Sequence, residues 1–322
     1  MPTVYVTRKI PDVGLQLLKK KHFRVDLNHS DQNLSEEDLK KLVSKYDAII
    51  TLVTDKIDRQ ILAQASPNLK IISNFGVGYD NIDILEAKRK GVIVTNTPGA
   101  ASESVAEHVF MLFLSCLKQV IAADRFVRLG KYKKWDPFGF ISPQMWGKTI
   151  GIIGLGKIGT FVGNIAYNGF KMDILYYDTS RSEDFEILTE AKYSDMELIF
   201  KKADFITLHV PLTPQTFHLV GKKQLDFMKN SAILVNTSRG AVIDEEALVE
   251  ALKTQKIAAA GLDVYEHEPD ISQDLIALEN AVLTPHSASA TIETRNSMSR
   301  IAAENIIDVF EGKEPFGLIK AK

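Results

Sequence analysis

Three side chains in the second half of the chain are suited to holding an anion and moving a proton. Arg239, Glu268 and His286 each lie shortly beyond an apolar, strand-like run: Ala232–Asn236, Ala258–Leu262 and Ala281–Leu283. A guanidinium grips a carboxylate with two parallel N–H donors. An imidazole, with an ordinary pKa of about 6.5, donates a proton to an oxygen on which charge develops. A neighbouring carboxylate favours its protonated form. Each residue also has a plainer reading. Arg239 suits a surface cation, Glu266 competes with Glu268, and His267 competes with His286. For His286, after Pro285, a structural role is as good a reading as a catalytic one. The weight rests on the joint position of the three at successive strand ends, where open α/β sheets place their ligands.

A second motif points to a hydride source. Thr149–Ile153 runs into Gly154-Leu155-Gly156-Lys157-Ile158-Gly159, then a helix-like stretch, then Ile174–Tyr177 and Asp178. Strand, Gly-x-Gly-x-x-Gly, helix, strand and acid is the form of a dinucleotide-binding βαβ unit. Gly154 permits the turn, Gly156 lets backbone approach a diphosphate, and Gly159 lets the helix pack near the sheet. The helix start offers unpaired N–H groups to the phosphates. Asp178 lies 19 residues beyond Gly159, where a carboxylate accepts hydrogen bonds from the adenosine ribose and repels a 2′-phosphate. NAD(H) is therefore the favoured cofactor, and Arg181 nearby leaves NADP(H) open. With a nicotinamide to deliver hydride, the three side chains suit reduction of a carbonyl beside a carboxylate.

The elements that must position these residues alternate along the chain. Strand-like runs at Val4–Thr7, Arg24–Leu27, Ala48–Val53, Ile71–Phe75 and Val92–Thr95 are separated by helix-like stretches such as Ser35–Lys45 and Ile82–Lys90. A long helix-like segment, Ser102–Leu129, and an irregular one, Gly130–Lys148, precede the glycine motif. Phe205–Val210 and the three runs above continue a second series, with helices such as Met196–Lys202 and Glu245–Thr254, and Ile292–Glu311 closes the chain. This is an α/β pattern with parallel sheets, and 322 residues suit two domains. Hydrophobic content of 45% and charged content of 25% fit a globular fold, and a net charge of −2 gives no electrostatic case for nucleic acid or an anionic membrane. The short Lys19-Lys20-Lys21 and Lys131–Lys134 stretches read as solvated faces. The single cysteine, Cys116, lies in an apolar run; it excludes an intramolecular disulfide, and no metal site is expected. No apolar run reaches about 18 residues, and MPTVYVTRKI lacks a signal-peptide layout. A cytoplasmic location is expected.

At these positions the chain resembles the D-2-hydroxyacid dehydrogenase family over nearly its full length. The likeness is carried by Asn74-Phe75-Gly76-Val77-Gly78-Tyr79-Asp80-Asn81-Ile82-Asp83, by Ser104-Val105-Ala106-Glu107-His108, and by the glycine motif. Leu208-His209-Val210-Pro211-Leu212-Thr213, Asn236-Thr237-Ser238-Arg239-Gly240, Gly261-Leu262-Asp263-Val264-Tyr265 with Glu268-Pro269, and Pro285-His286 complete it. The resemblance implies two Rossmann-like or flavodoxin-like parallel-sheet domains with a cleft between them. Residues 1–98 plus 287–322 would bind substrate, and residues 99–286 would bind NAD(P). It implies Arg239 as substrate anchor, His286 as acid/base, Glu268 as its partner, and the Val77 and Gly78 amides as ligands of the substrate carboxylate. A Gly76-Val77-Gly78 turn lets amides converge on an anion. Cofactor contacts are implied for Val105, Gly154, Gly156, Lys157, Ile158, Gly159, Asp178, His209, Val210, Pro211, Thr216, Thr237, Ser238, Arg239, Asp263, His286 and Ala288.

Within the family the chain most resembles glyoxylate/hydroxypyruvate reductases, on Leu52–Asp58, Ala123–Arg128 and Thr294–Met298. That implies NAD(P)H-dependent reduction of glyoxylate or hydroxypyruvate to the D-2-hydroxy acid, with Leu52 beside a small substrate. It also implies a homodimer. Trp135 resembles a residue that a partner subunit lends to the pocket; the alternative is a Trp packed within its own irregular segment. Another D-2-hydroxy acid, such as 3-phosphoglycerate, is the rival substrate, and an NAD(H)-sensing, corepressor-like binding protein is the rival class. The chain departs from the family at one point. Members often read His-x-Gly-Ser-Ala-Thr where this chain has His286-Ser287-Ala288-Ser289-Ala290-Thr291. Ala288 adds a methyl near the expected nicotinamide and asks for an ordinary φ.

Overall fold

The computed structural model describes residues 1–30 and 32–320. They divide into two compact units, one running to Ala101 and resuming at Ala290, the other Ser102–Ser289. In the first, β1 (Thr3–Val6), β2 (Arg24–Leu27), β3 (Ala48–Leu52), β4 (Ile71–Phe75) and β5 (Ile93–Thr95) form a parallel sheet in the order β2-β1-β3-β4-β5. This is the flavodoxin-like doubly wound order. β4 is buried along its whole length, as a parallel strand covered on both faces must be. Its polar residues are paired: Ser73 donates to the Ala302 carbonyl at 3.0 Å, and Asn74 accepts from the Thr51 hydroxyl at 3.0 Å. The helix Ile292–Phe310 belongs to this unit because Met298, Ala302, Ala303 and Ile306 share a core with Val4, Val6, Ile50 and Ile71.

In the second unit, β6 (Thr149–Ile153), β7 (Asp173–Tyr177), β8 (Lys192–Tyr193), β9 (Phe205–Leu208), β10 (Ile233–Asn236), β11 (Ala259–Leu262) and β12 (Ala281–Leu283) form a parallel sheet in the order β12-β11-β10-β9-β6-β7-β8. The strand order reverses at β6, which has β7 on one side and β9 on the other. Ligands of such sheets bind beyond the strand C-termini at this switch point. Both units are thus parallel α/β sheets, and the second is a Rossmann-type fold.

The structure departs from the sequence expectations at four points. The helix expected over Ser102–Leu129 is two, Ser102–Leu117 and Val120–Arg128, bent by 61°. Gln119 takes a left-handed φ of +51 at the break. Leu117 is the last buried residue of the first helix, whereas the second buries none, so nothing in the core holds the two in line. β8 was not foreseen; two exposed residues carry no apolar signature. The second join between units falls after Ser289, not after residue 286, because the Ser287 and Ala288 amides are bonded to Asp263. The first falls after Ala101, where the long apolar helix begins, rather than after residue 98. Among the described residues no single helix is long and apolar enough to cross a membrane.

Candidate active site

β6 ends in the glycine turn. Gly154 has φ +95, and a Cβ there would lie 2.7 Å from the His209 carbonyl carbon, so the chain leaving β6 touches the chain leaving β9 backbone to backbone. A Cβ on Gly159 would lie 2.2 Å from the Gly154 oxygen, which seats the helix Lys157–Phe170 on the turn. Around Gly156 the opposite holds: nothing lies within 4 Å of where its Cβ would be. Gly156 is also the N-cap of that helix, and no side chain caps the first-turn amides. Open space beside uncapped amides at a helix N-terminus suits a diphosphate.

Asp178 closes the same turn. Its Oδ2 accepts the Leu155 amide at 2.6 Å, and its Oδ1 accepts the Thr179 amide at 2.6 Å and hydroxyl at 3.0 Å. The acid therefore shapes the turn as well as carrying charge to the expected ribose end. Arg181 faces another carboxylate: its Nε donates to Glu186 Oε1 at 2.8 Å and its Nη2 to Oε2 at 2.5 Å. The Tyr176 hydroxyl donates to the same Glu186 at 2.7 Å. A cavity of about 630 Å³, bounded by Leu155, Asp178 and residues 180–184, opens here.

β10 ends at Asn236, whose buried side chain organises the next turn. Its Oδ1 accepts the Ser238 amide at 3.0 Å and hydroxyl at 2.8 Å, and its Nδ2 donates to the Arg239 carbonyl at 2.8 Å. The Arg239 Nη1 lies 2.8 Å from the Ser238 carbonyl oxygen. Gly240 then lets this turn lie directly on the loop after β11, since a Cβ would stand 1.9 Å from the Tyr265 carbonyl carbon. That loop carries Glu268. The Tyr265 amide donates to Glu268 Oε1 at 2.9 Å, and Glu268 Oε2 lies 2.8 Å from His286 Nδ1. Burial alone would raise the Glu268 carboxyl; the His286 hydrogen bond and charge, the Tyr265 amide and the Arg239 charge outweigh it and hold it below the usual range. With Nδ1 on Glu268, the imidazole presents Nε2 as its free edge. The Glu268 and His286 side chains stay 33% and 34% exposed, so a small molecule can reach them.

The three sequence-nominated residues are thus brought together, and their competitors are drawn elsewhere. Glu266 Oε1 lies 2.8 Å from His218 Nε2. His267 is exposed, and its backbone pairs with Asp270.

The loop after β12 hangs on Asp263, which is fully buried. The Thr284 hydroxyl donates to Asp263 Oδ1 at 2.6 Å, the Ser287 amide to Oδ1 at 2.8 Å, and the Ala288 amide to Oδ2 at 2.8 Å. Burial pushes the Asp263 carboxyl up, but His108, Thr284 and the two amides outweigh it and the carboxyl ends below its ordinary value. The His286 amide donates to the Asp263 carbonyl at 2.8 Å. His286 has φ +52, a left-handed conformation that costs a non-glycine residue about 1–2 kcal/mol. Ala288, the departure noted in the sequence, keeps an ordinary φ and is buried, so its methyl is accommodated.

The remaining nominated residues have varied surroundings. Val105 is buried in the helix Ser102–Leu117, and Lys157 and Ile158 open the helix after Gly156. His209, Val210 and Pro211 follow β9. Burial drives the His209 imidazole down to about 3, so it stays neutral, with Nε2 at 3.0 Å from the Thr207 hydroxyl. The Thr216 hydroxyl donates to the Pro211 carbonyl at 2.5 Å, which commits its proton inside the loop. Thr237 Oγ1 is buried and has no hydrogen-bond partner among the described residues. Such an orphaned hydroxyl calls for a ligand. Together with the open space at Gly156 and the uncapped helix start, it makes this set fit a dinucleotide.

Leu52, Val77 and Gly78 lie in the first unit. Leu52 ends β3; its amide donates to Asp55 Oδ2 at 2.8 Å, and its carbonyl accepts from Asn81 Nδ2 at 3.1 Å. The Val77 carbonyl accepts from Asn96 Nδ2 at 2.6 Å and the Gly78 carbonyl from Asn74 Nδ2 at 2.7 Å. Among the described residues the Val77 and Gly78 amides have no acceptor. Carbonyls tied back beside unspent amides make a receptacle for an anion. Trp135 is 76% exposed, so little of it packs against its own segment.

In the sequence, Asn236, Asn74, Asn96, Asp55 and Tyr265 have no individual role assigned to them. The one available signal was an asparagine at the end of a strand-like run before a polar turn, as at Asn236 and Asn74.

Residues 110–288 match the family described as D-isomer specific 2-hydroxyacid dehydrogenase, NAD binding domain. A glyoxylate reductase from Korarchaeum cryptofilum is 46% identical over 320 residues, spanning 99% of this chain and 96% of the relative. A crystal structure of a protein from Thermus thermophilus superposes with a TM-score of 0.92 at 36% identity, covering 99% of this chain and 100% of the other. An NADPH-dependent glyoxylate/hydroxypyruvate reductase from Sinorhizobium meliloti, solved with NADP and malonate, gives a TM-score of 0.85 at 30% identity over 99% and 96%.

Proposed function

Because the chain belongs to the D-isomer specific 2-hydroxyacid dehydrogenase family, we propose that it reduces a small 2-keto acid, glyoxylate or hydroxypyruvate, with NADH. The observation that carries this reading is the His286–Glu268 contact at 2.8 Å, with the Arg239 charge acting on the same carboxylate. The assembled set favours an enzyme over an NAD(H)-sensing binder. The glyoxylate reductase named above supports a substrate of that size.

The roles follow from the chemistry of the side chains. A bound nicotinamide supplies the hydride. Arg239 holds the substrate carboxylate and draws electron density from the adjacent carbonyl. The family resemblance adds the Val77 and Gly78 amides as a second grip on that carboxylate and Leu52 as a wall beside it. His286 donates its Nε2 proton to the carbonyl oxygen as negative charge develops there. Glu268 holds the imidazole by Nδ1 and so fixes its orientation, leaving Nε2 for the substrate oxygen. The glycine turn and Thr237 hold the dinucleotide, and residues 1–101 with 290–320 serve the substrate.

NADH rather than NADPH is favoured by the Asp178 carboxylate and by Glu186, which occupies the Arg181 fork. A homodimer is supported by the helix Val120–Arg128, which buries none of its own residues. Val120, Ile121, Val127, Leu129, Trp135 and Phe138 are exposed on and beyond it, an apolar surface of the kind that marks association.

The test is loss of absorbance at 340 nm with NADH or NADPH against a panel of glyoxylate, hydroxypyruvate, pyruvate and 3-phosphohydroxypyruvate. Turnover of the first two with NADH is expected. A strong NADPH preference would overturn the role given to Asp178, and inactivity toward every 2-keto acid would overturn the reading.

A further inference from the structure

The helix Ser102–Leu117 carries a histidine that the reaction above does not use. Gly261 of β11 lets this helix press close: a Cβ there would lie 2.8 Å from Leu112 Cβ. One turn before Leu112, on the same helix face, is His108, whose side chain is only 15% exposed. Its Nε2 lies 2.9 Å from Thr284 Oγ1 and 3.4 Å from Asp263 Oδ1.

The protons can be assigned by counting. Thr284 has one hydroxyl proton, and at 2.6 Å from a carboxylate oxygen it goes to Asp263 Oδ1. Thr284 Oγ1 is then an acceptor toward His108, so Nε2 carries a hydrogen. A directed chain results, from His108 Nε2–H to Thr284 Oγ1–H to Asp263 Oδ1. Asp263 in turn receives the Ser287 and Ala288 amides, and its carbonyl receives the amide of left-handed His286.

We propose that His108 is a positioning residue: by donating to Thr284 it fixes the Asp263 carboxylate, and through it the loop that carries His286 and Ala288. The inference rests on the reading that this loop faces cofactor and substrate. Without the Nε2 donor, Thr284 loses its partner and is free to turn its hydroxyl away, and Asp263 loses its shortest hydrogen bond.

The experiment uses the full chain and four variants: His108→Leu, His108→Gln, Thr284→Val and the double variant His108→Leu/Thr284→Val. For each, kcat with glyoxylate, the NADH dissociation constant by fluorescence titration, and Tm are measured. His108→Leu should lower kcat about tenfold and weaken NADH several-fold, the scale of one buried hydrogen bond. His108→Gln, which keeps an N–H donor, should restore most of both. The double variant should be no worse than the poorer single, because both break one link. Wild-type kcat and NADH affinity in His108→Leu, with a lower Tm alone, would overturn the proposal. So would losses that multiply in the double variant, or a Gln variant no better than Leu. The NADH constants decide the matter even with an enzyme inert toward 2-keto acids, so that inertness would sink the functional reading alone.

Discussion

Gly240 and Tyr265 are in backbone contact: a Cβ on Gly240 would stand 1.9 Å from the Tyr265 carbonyl carbon and 2.3 Å from the Glu266 nitrogen. Both obstacles are main-chain atoms, so no rotamer change relieves them. The turn bearing Arg239 and the loop bearing Glu268 meet because one of the residues between them has no side chain.

Gly240→Ala should therefore part the two loops. Overpacking of this kind costs about 1–3 kcal/mol, seen as a lower Tm. It should also weaken the Arg239 charge on Glu268 and depress kcat/KM. Melting curves and steady-state kinetics check this together. Wild-type turnover in a destabilised Gly240→Ala protein would mean that the two loops need not touch for the chemistry.

His286 joins a proton-donor role to a strained backbone, and the two can be separated. Asparagine enters the left-handed region more readily than other non-glycine residues. His286→Asn should keep the loop and remove the acid. A fall in turnover of about 10²–10⁴ is expected, with Tm and NADH affinity near wild type. His286→Ala should show the same fall with a Tm below that of His286→Asn, because alanine enters the left-handed region less readily than asparagine. Normal turnover in the Asn variant would remove His286 from the mechanism.

The glycine turn and the three strand-end residues were legible in the sequence because each depends on residue type at a fixed offset from an apolar run. What was not legible depends on partners distant in the chain. Glu266 and Glu268 lie two residues apart on one loop, and spacing does not choose between them; His218 takes the first and leaves the second to His286. The break at Gln119 was invisible for a related reason. No glycine or proline marks the break, and the bend is set by where the buried face ends, at Leu117. The sequence pattern shows Asp178 as a ribose acceptor that repels a 2′-phosphate, and nothing more. Its work on the Leu155 and Thr179 amides involves backbone donors, which leave no mark in a residue pattern.

Asp263 and Glu268 both have carboxyl pKa values lowered in the folded chain. Ordinary values are about 3.9 for Asp and 4.3 for Glu. The unfolded chain then binds more protons than the folded one in this range, so stability rises with pH through it. The contribution is fully present above the unfolded values and is lost as pH falls through the folded ones. Asp263→Asn should lower Tm at neutral pH, since one of the Ser287 and Ala288 amides would face an N–H₂ group, a loss of about 1–3 kcal/mol. It should also flatten the decline of stability below about pH 5, by up to about 1.4 kcal/mol per pH unit for one proton. Denaturant titrations from pH 3 to 7 measure both. An unchanged slope would mean that Asp263 is not among the groups titrating on unfolding.

The second and third glycines of the turn predict opposite responses to the same methyl group. At Gly156 φ is −72 and the space for a Cβ is empty, so alanine fits the protein as it stands. At Gly159 a Cβ would lie 2.2 Å from the Gly154 oxygen and 3.3 Å from an Ile152 side-chain carbon. Gly159→Ala should push the helix Lys157–Phe170 off the turn and lower Tm, at about 1–3 kcal/mol for overpacking. Gly156→Ala should leave Tm unchanged or slightly higher, because alanine restricts the unfolded chain more than glycine does. It should instead weaken NADH, since the methyl fills the approach to the helix amides. Calorimetry without cofactor and fluorescence titration with NADH separate the two effects. If Gly156→Ala binds NADH as tightly as wild type, the diphosphate does not lie against that face of the turn.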